Sequence, residues 1–186
     1  MSARSIFDAG LLTAISAGDH KLMRRIHRWR APRWIRIWML AATHGGDGWI
    51  WNAMGAVILA FGGANRILAL ASAALSAAMG VLLFLLLKKR IGRTRPCAIE
   101  PHCWSKLLPP DQFSFPSGHT ITAFAVSGTL IEFYPGLTAG LLFCACSIGI
   151  SRIMLGMHFL TDVLAGVLLG SAIAWFCTYF LIPLLA

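Results

Sequence analysis

Residues 67–87, ILALASAALSAAMGVLLFLLL, contain no charged side chain. A run of 21 such residues matches the ~20 that an α-helix needs to cross the hydrocarbon core of a bilayer. Other blocks resemble it. Residues 49–64 are apolar apart from Asn52, residues 120–131 run up to Glu132, and residues 137–150 and 163–186 carry no charge. Only 12% of the chain is charged, against about 25% in soluble domains. A soluble fold has nowhere to hide this much apolar surface. The many Gly, Ala and Ser residues within the blocks suit close helix packing in lipid.

The sequence therefore reads as an all-α, polytopic membrane helix bundle, in one domain over residues 1–186. Five transmembrane spans are expected at 48–64, 67–87, 118–133, 137–152 and 158–181. Residues 1–45 are expected to form a short or interfacial helical region. Ile6, Ala9, Leu12, Ile15 and Ala17 give residues 5–17 the spacing of a helix lying on a membrane surface. Residues 34–43 are too short to span alone, but with Trp29 and His44 they would make a short or tilted first span. No secretory signal pattern, internal repeat or dividing linker is apparent.

Charge placement leaves two arrangements. Eight of the 16 Lys and Arg lie at or before Arg36, seven lie between Lys88 and Arg152, and Arg66 is alone between them. The positive-inside rule places the Lys- and Arg-rich side in the cytoplasm. If residues 34–45 cross, the N-terminal cluster and Arg66 are cytoplasmic, and the face carrying Lys88–Arg152 is outside. If they do not cross, that face holds nearly all the positive charge and is expected inside. The N-terminal cluster itself reads as an anchor for anionic headgroups.

Three polar islands interrupt the apolar pattern: KKRIGRTRP (88–96), FPSGHT (115–120) and SRIMLGMHFLTD (151–162). Alternating helix direction puts all three on one membrane face. His158 and Asp162 are four residues apart, on one helix face, where a carboxylate can take the second imidazole N–H and fix the tautomer. His119 follows Pro-Ser-Gly at a helix start, where backbone N–H groups favour anions. Lys88, Arg95 and Arg152 add fixed positive charge, and arginine forks match phosphate oxygens. Each residue also has a plainer reading: a snorkelling Lys or Arg (retained for Lys89 and Arg90), an interfacial His, or a structural i,i+4 pair. The combination on one face favours a phosphate held by cations between two histidines.

Lys88 and Arg95–Pro96 stand as K-x6-RP, residues 116–119 as PSGH, and Ser151–Arg152, His158 and Asp162 as SR-x5-H-x3-D. In this order the three signatures resemble the type-2 phosphatidic acid phosphatase superfamily, in its membrane branch, and they span residues 88–162. The resemblance implies roles. His158 would be the nucleophile, forming a phosphohistidine, and Asp162 its orienting partner. His119 would be the general acid and then the base. Lys88, Arg95, Arg152, Ser117 and the Gly118 N–H would bind the phosphate. It also implies no cofactor and no metal, since three cations can stand in for a metal ion.

The expected substrate is a membrane lipid phosphate or diphosphate, with polyprenyl (undecaprenyl) diphosphate ahead of the 1-phosphate of lipid A, phosphatidylglycerol phosphate and phosphatidic acid. Arg90 and Arg93 would favour a diphosphate or a crowded anionic headgroup. The expected partner is the lipid bilayer, with no nucleic acid, and the expected place is a bacterial inner membrane with the active site facing the periplasm. In an oxidising periplasm Cys97 and Cys103 would form a disulfide over the site. The rivals are a metal hydrolase built on His102, His119, His158 and Asp162, and an anionic lipid transporter that binds without hydrolysis.

Overall fold

A computed structural model describes residues 3–99, 111–181 and 183. Among these residues the chain is helical and forms no strand, only an isolated bridge between Thr94 and Phe113. The helices are α1 (Ala3–Arg28), α2 (Arg33–His44), α3 (Ile50–Phe61), α4 (Arg66–Ile91), a short α5 (Pro96–Ile99), α6 (Gly118–Phe133), α7 (Thr138–Met154) and α8 (Leu160–Phe176). A wide turn, residues 45–49, joins α2 to α3.

Three helical stretches are long and apolar enough to cross a membrane: Arg66–Ile91, Pro135–Met154 and Leu160–Phe180. The five expected spans therefore reduce to three on length. Residues 48–64 and 118–133 give α3 and α6, of 12 and 16 residues. At 1.5 Å per residue these are shorter than the ~30 Å hydrocarbon core. Gly62–Gly63 end α3, and α6 runs only from the Pro-Ser-Gly turn to the Tyr134–Pro135 break.

α6 is the centre of the bundle, packed against α4, α7 and α8. Two of its buried polar residues bond to neighbouring helices: Thr129 meets Ser76 of α4 at 2.7 Å, and Ser127 donates to the Leu141 carbonyl at 3.3 Å. Gly166 and Gly170 bring α8 against the α6 backbone. A Cβ at Gly166 would stand 2.8 Å from the Thr120 Cβ, and one at Gly170 would stand 2.5 Å from the Ile121 carbonyl oxygen. Small residues four apart permit this kind of close helix contact in lipid.

The N-terminal helices sit at the end of the bundle where α7 meets α8. Met23 and Ile26 of α1 pack with Ile153, Phe159 and Val163, while Ile35, Met39 and Leu40 of α2 pack with Met154, Leu155 and Met157. The 12 residues of α2 thus lie across one end of the bundle and do not form a first span. Trp34, Ile37 and Trp38 are exposed along it, and Trp29 just before it, as in a helix resting at a membrane interface.

Candidate active site

Each polar island folds into a short segment at this same end. Lys88 lies in the last turn of α4, and Arg95 follows just before α5. Gly118 and His119 open α6, and Arg152 lies in the last turn of α7. Gly156 then adopts a positive φ of 69°, a conformation that costs glycine little. The turn folds the chain back so that the Met157 and His158 N–H groups donate to the Arg152 carbonyl at 3.0 and 3.1 Å. Asp162, in the first turn of α8, accepts the Phe159 N–H at 2.8 Å and so fixes the helix start behind His158.

Six of the eight residues expected in the site line one cavity of about 520 Å³: Lys88, Arg95, Gly118, His119, Arg152 and His158. Asp47 and Asp111 share the polar end. Trp51, Val81, Phe84 and Thr122 wall the cavity along α3, α4 and α6, so a charged cradle continues into an apolar groove.

His158 is buried, at 2% exposure. Its Nδ1 stands 2.5 Å from the Ser114 carbonyl and must donate there, leaving Nε2 unprotonated on the cavity side, 3.2 Å from Arg95 Nη1. Burial, then the charges of Arg152 and Arg95, hold its pKa well below the ordinary imidazole value, against the pull of the Ser114 carbonyl. The ring is therefore neutral at pH 7, with a lone pair facing the cations.

The other two expected residues stand off the cavity. Ser117 is fully buried, and its hydroxyl bonds to Thr120 at 2.8 Å. Asp162 Oδ2 stands 3.9 Å from His158 Nδ1, beyond hydrogen-bonding reach. The i,i+4 spacing brings the two close, but α8 begins only at Leu160, so helical register does not govern His158. Arg93 also turns away from the cavity and spans Asp162 and Asp19 at 2.7 and 2.6 Å. The expected Cys97–Cys103 bridge and His102 fall outside the described residues through positions 102 and 103.

The sequence reading missed four contributors. Asp47 accepts a hydrogen bond from His119 Nε2 at 2.7 Å. Burial alone would raise the Asp47 carboxyl, but the bond and charge of His119, the bond from His44 and the charge of Arg152 hold it below the ordinary carboxylate range. Asp111 pairs with Lys88 Nζ and, at 3.0 Å, with Arg95 Nη2. Burial would raise this carboxyl too, and those cations, with the Phe113 N–H, lower it. Thr43 accepts from Arg152 Nη1 at 2.5 Å, and Ser114 supplies the carbonyl for His158. The glycine-flanked HGGDGW at 44–49, polar just before an apolar block, was the one available signal for Asp47.

The family model for the PAP2 superfamily matches residues 66–183, which include every cavity cation and both histidines. The chain belongs to the PAP2 superfamily. Among PAP2 structures it resembles the transmembrane PAP2 type phosphatidylglycerolphosphate phosphatase from Bacillus subtilis, at 27% identity and a TM-score of 0.70, covering 90% of this chain and 86% of that one. It also resembles Aquifex aeolicus LpxE, at 26% identity and a TM-score of 0.71, covering 86% of this chain and 94% of that one. Among relatives in sequence, a lipid A 1-phosphatase of Rhizobium johnstonii is 35% identical over 99 residues, 51% of this chain and 39% of that one. Phosphatidylglycerophosphatase B of Bacillus subtilis is 38% identical over 102 residues, 48% of this chain and 46% of that one. The bacitracin transport permease protein BcrC of Bacillus licheniformis is 48% identical over 64 residues, 34% of this chain and 31% of that one. Each of these matches spans less than half of the relative's length.

Proposed function

We propose that this PAP2 protein is an integral membrane phosphatase that cleaves a lipid phosphate or diphosphate through a phosphohistidine. The observation that carries the reading is one cavity shared by two imidazoles and three cations. His158 Nε2 attacks phosphorus as the bond to the leaving oxygen breaks, and His119 supplies that oxygen's proton. Water then attacks the phosphohistidine, gives a proton to His119 and releases phosphate. Lys88, Arg95 and Arg152 hold the phosphoryl oxygens as charge develops. The Gly118 N–H, at the unpaired start of α6, adds a donor. Asp162 positions His158 by fixing the loop, and Ser117 packs the α6 start. No step calls for a metal.

The groove past Trp51, Val81 and Phe84 suits an apolar chain leaving the cradle into lipid. With about 520 Å³, the cavity fits a diphosphate and the first carbons of a polyprenyl chain better than a headgroup glycan. Polyprenyl diphosphate is accordingly the leading substrate. The 1-phosphate of lipid A is the second reading, favoured by the relative from Rhizobium johnstonii. α3 and α6 complete a five-helix membrane bundle around the site. The setting is a bacterial inner membrane. The periplasm-facing arrangement required residues 34–45 to cross. With α2 packed across the site end, the N-terminal Lys and Arg join the site face, and the positive-inside rule weighs for a cytoplasmic site.

The decisive assay is phosphate release from a panel of polyprenyl diphosphate, lipid A, phosphatidylglycerol phosphate and phosphatidic acid, run in chelator. Release from at least one lipid, lost in a folded His158→Ala variant, is expected. Dependence on added metal, or activity surviving in that variant, overturns the mechanism. Binding with no release from any lipid leaves the transporter reading. Impermeant thiol labelling of a cysteine placed at Ala64 reports the sidedness.

A further inference from the structure

The residue that organises the nucleophile's loop is neither in the cavity nor among the defining positions of the three signatures. Arg93 touches three of the four residues that follow His158. Its guanidinium lies 4.1 Å from the centre of the Phe159 ring. Its Nη1 donates to Thr161 Oγ1 and to Asp162 Oδ1, both at 2.7 Å. Its backbone carbonyl accepts the Ser114 N–H at 2.7 Å, and Ser114 presents the carbonyl that receives His158 Nδ1. Arg93 thus reaches His158 from both sides, through Ser114 and through the 159–162 turn.

The free end of this fork is held by α1. Asp19 is buried at 4% exposure. It accepts Arg93 Nη2 at 2.6 Å, pairs with the Thr161 hydroxyl, and takes the Thr161 N–H at 3.3 Å. His20, next to it, meets the Phe159 ring edge-on at a centroid distance of 4.9 Å. Two buried carboxylates sharing one partly exposed cation are costly to assemble, and each is left uncompensated when that cation is lost. Such an arrangement specifies geometry more than it adds stability.

We propose that Arg93 and Asp19 are positioning residues for the reaction of His158, so that the docked N-terminal helix completes the catalytic geometry. The proposal rests on His158 being the nucleophile. Asp19 and Arg93 contact neither the cavity nor the substrate. They hold the loop in which the Nδ1–H tautomer is fixed and Nε2 faces the phosphorus.

The test uses Asp19→Asn and Arg93→Lys in the full chain, assayed on dioctanoyl phosphatidic acid in detergent micelles. Rapid quench of radiolabelled substrate counts phosphohistidine per chain, and so the active fraction. Displacement of a nucleophile by about 1 Å can cost on the order of 100-fold. The expected result is kcat per active site lowered about 10- to 100-fold in Asp19→Asn, with KM within about twofold of wild type. Arg93→Lys, which keeps the charge but loses the fork, should fall at least as far. If Arg93→Lys does not fold, Asp19→Asn decides alone. A lower melting temperature with kcat per phosphorylated site unchanged would overturn the proposal, because that is the mark of a packing role only. Release of phosphate by the wild-type protein with no phosphohistidine formed on the same substrate would instead overturn the nucleophile assignment on which it rests.

Discussion

His158 Nδ1 and the Ser114 carbonyl oxygen stand 2.5 Å apart, while the nearest Asp162 oxygen is 3.9 Å away. The backbone, not the carboxylate, therefore selects the tautomer of His158. The acceptor comes from a segment fastened to Arg93, so the tautomer depends on how residues 93–94 and 113–114 meet.

The first prediction concerns pH. His158 is held neutral far below the ordinary imidazole value of 6.5, by burial and by Arg152 and Arg95. Its nucleophilicity should persist below pH 6.5, and kcat/KM should show no acid limb near that value. The stability sign follows the same shift. The unfolded chain takes a proton near pH 6.5 and the folded protein does not, so this contribution is fully present above 6.5 and is lost as pH falls from 6.5 toward the depressed folded value. Rate profiles and melting temperatures from pH 5 to 8 check both statements. An acid limb centred at 6.5 would contradict the neutral ring.

Asp47 should matter in proportion to the basicity of the leaving group. With Nε2–H committed to Asp47 at 2.7 Å, a protonated His119 offers Nδ1–H as its second donor. General acid catalysis is worth about 10²–10⁴-fold for a poor leaving group. Asp47→Asn is expected to slow alkyl phosphate hydrolysis about tenfold or more and p-nitrophenyl phosphate hydrolysis much less. Equal losses on both substrates would remove Asp47 from proton transfer.

Asp111 competes for the cations that a phosphate needs. It pairs with Lys88 and Arg95, so an entering anion must displace or share it. Asp111→Asn removes that competing charge from a partly desolvated site, where electrostatic effects exceed those in water. Vanadate is expected to inhibit the variant at a concentration about tenfold lower than the wild type. Weaker inhibition would mean that Asp111 aligns the two cations and does not block them.

Gly166→Ala probes the contact between α8 and α6. The new Cβ would stand 2.8 Å from the Thr120 Cβ and 3.0 Å from the Ser117 carbonyl oxygen, one residue after and two residues before His119. Overpacking of this kind costs about 1–3 kcal/mol. A lower melting temperature in detergent is expected, with a loss of kcat larger than the loss of folded protein. Wild-type turnover in the variant would show that the contact does not transmit to the site.

Much of the site was legible because its chemistry is concentrated in three short polar islands set between apolar blocks. Hydropathy alone placed these islands at one face, and six of their residues meet at one cavity. Asp162 shows where spacing misled: an i,i+4 pair implies contact only inside one helix, and Gly156 and Phe159 set His158 in a turn before α8. Asp47, Thr43 and Asp19 were not legible because their partners lie 72, 109 and 74 residues away, and no local period records such a meeting. That α3 and α6 would each cross the bilayer alone was read from apolar content, although α6 keeps the expected bounds and only α3 is shorter than expected. Apolar content shows that a segment is sheltered from water, but not whether lipid or protein shelters it, and α6 is enclosed by other helices.

The glycines of α8 have one more consequence. Where helices touch through bulky side chains, rotamer changes can let them drift, and the atoms they carry drift too. Gly166 and Gly170 replace that soft layer with main chain set against the α6 backbone and the short, rigid base of its side chains. The gap between His119, opening α6, and the His158 ring just before α8 is then set by atomic radii, which do not change when the surrounding membrane thins, thickens or warms.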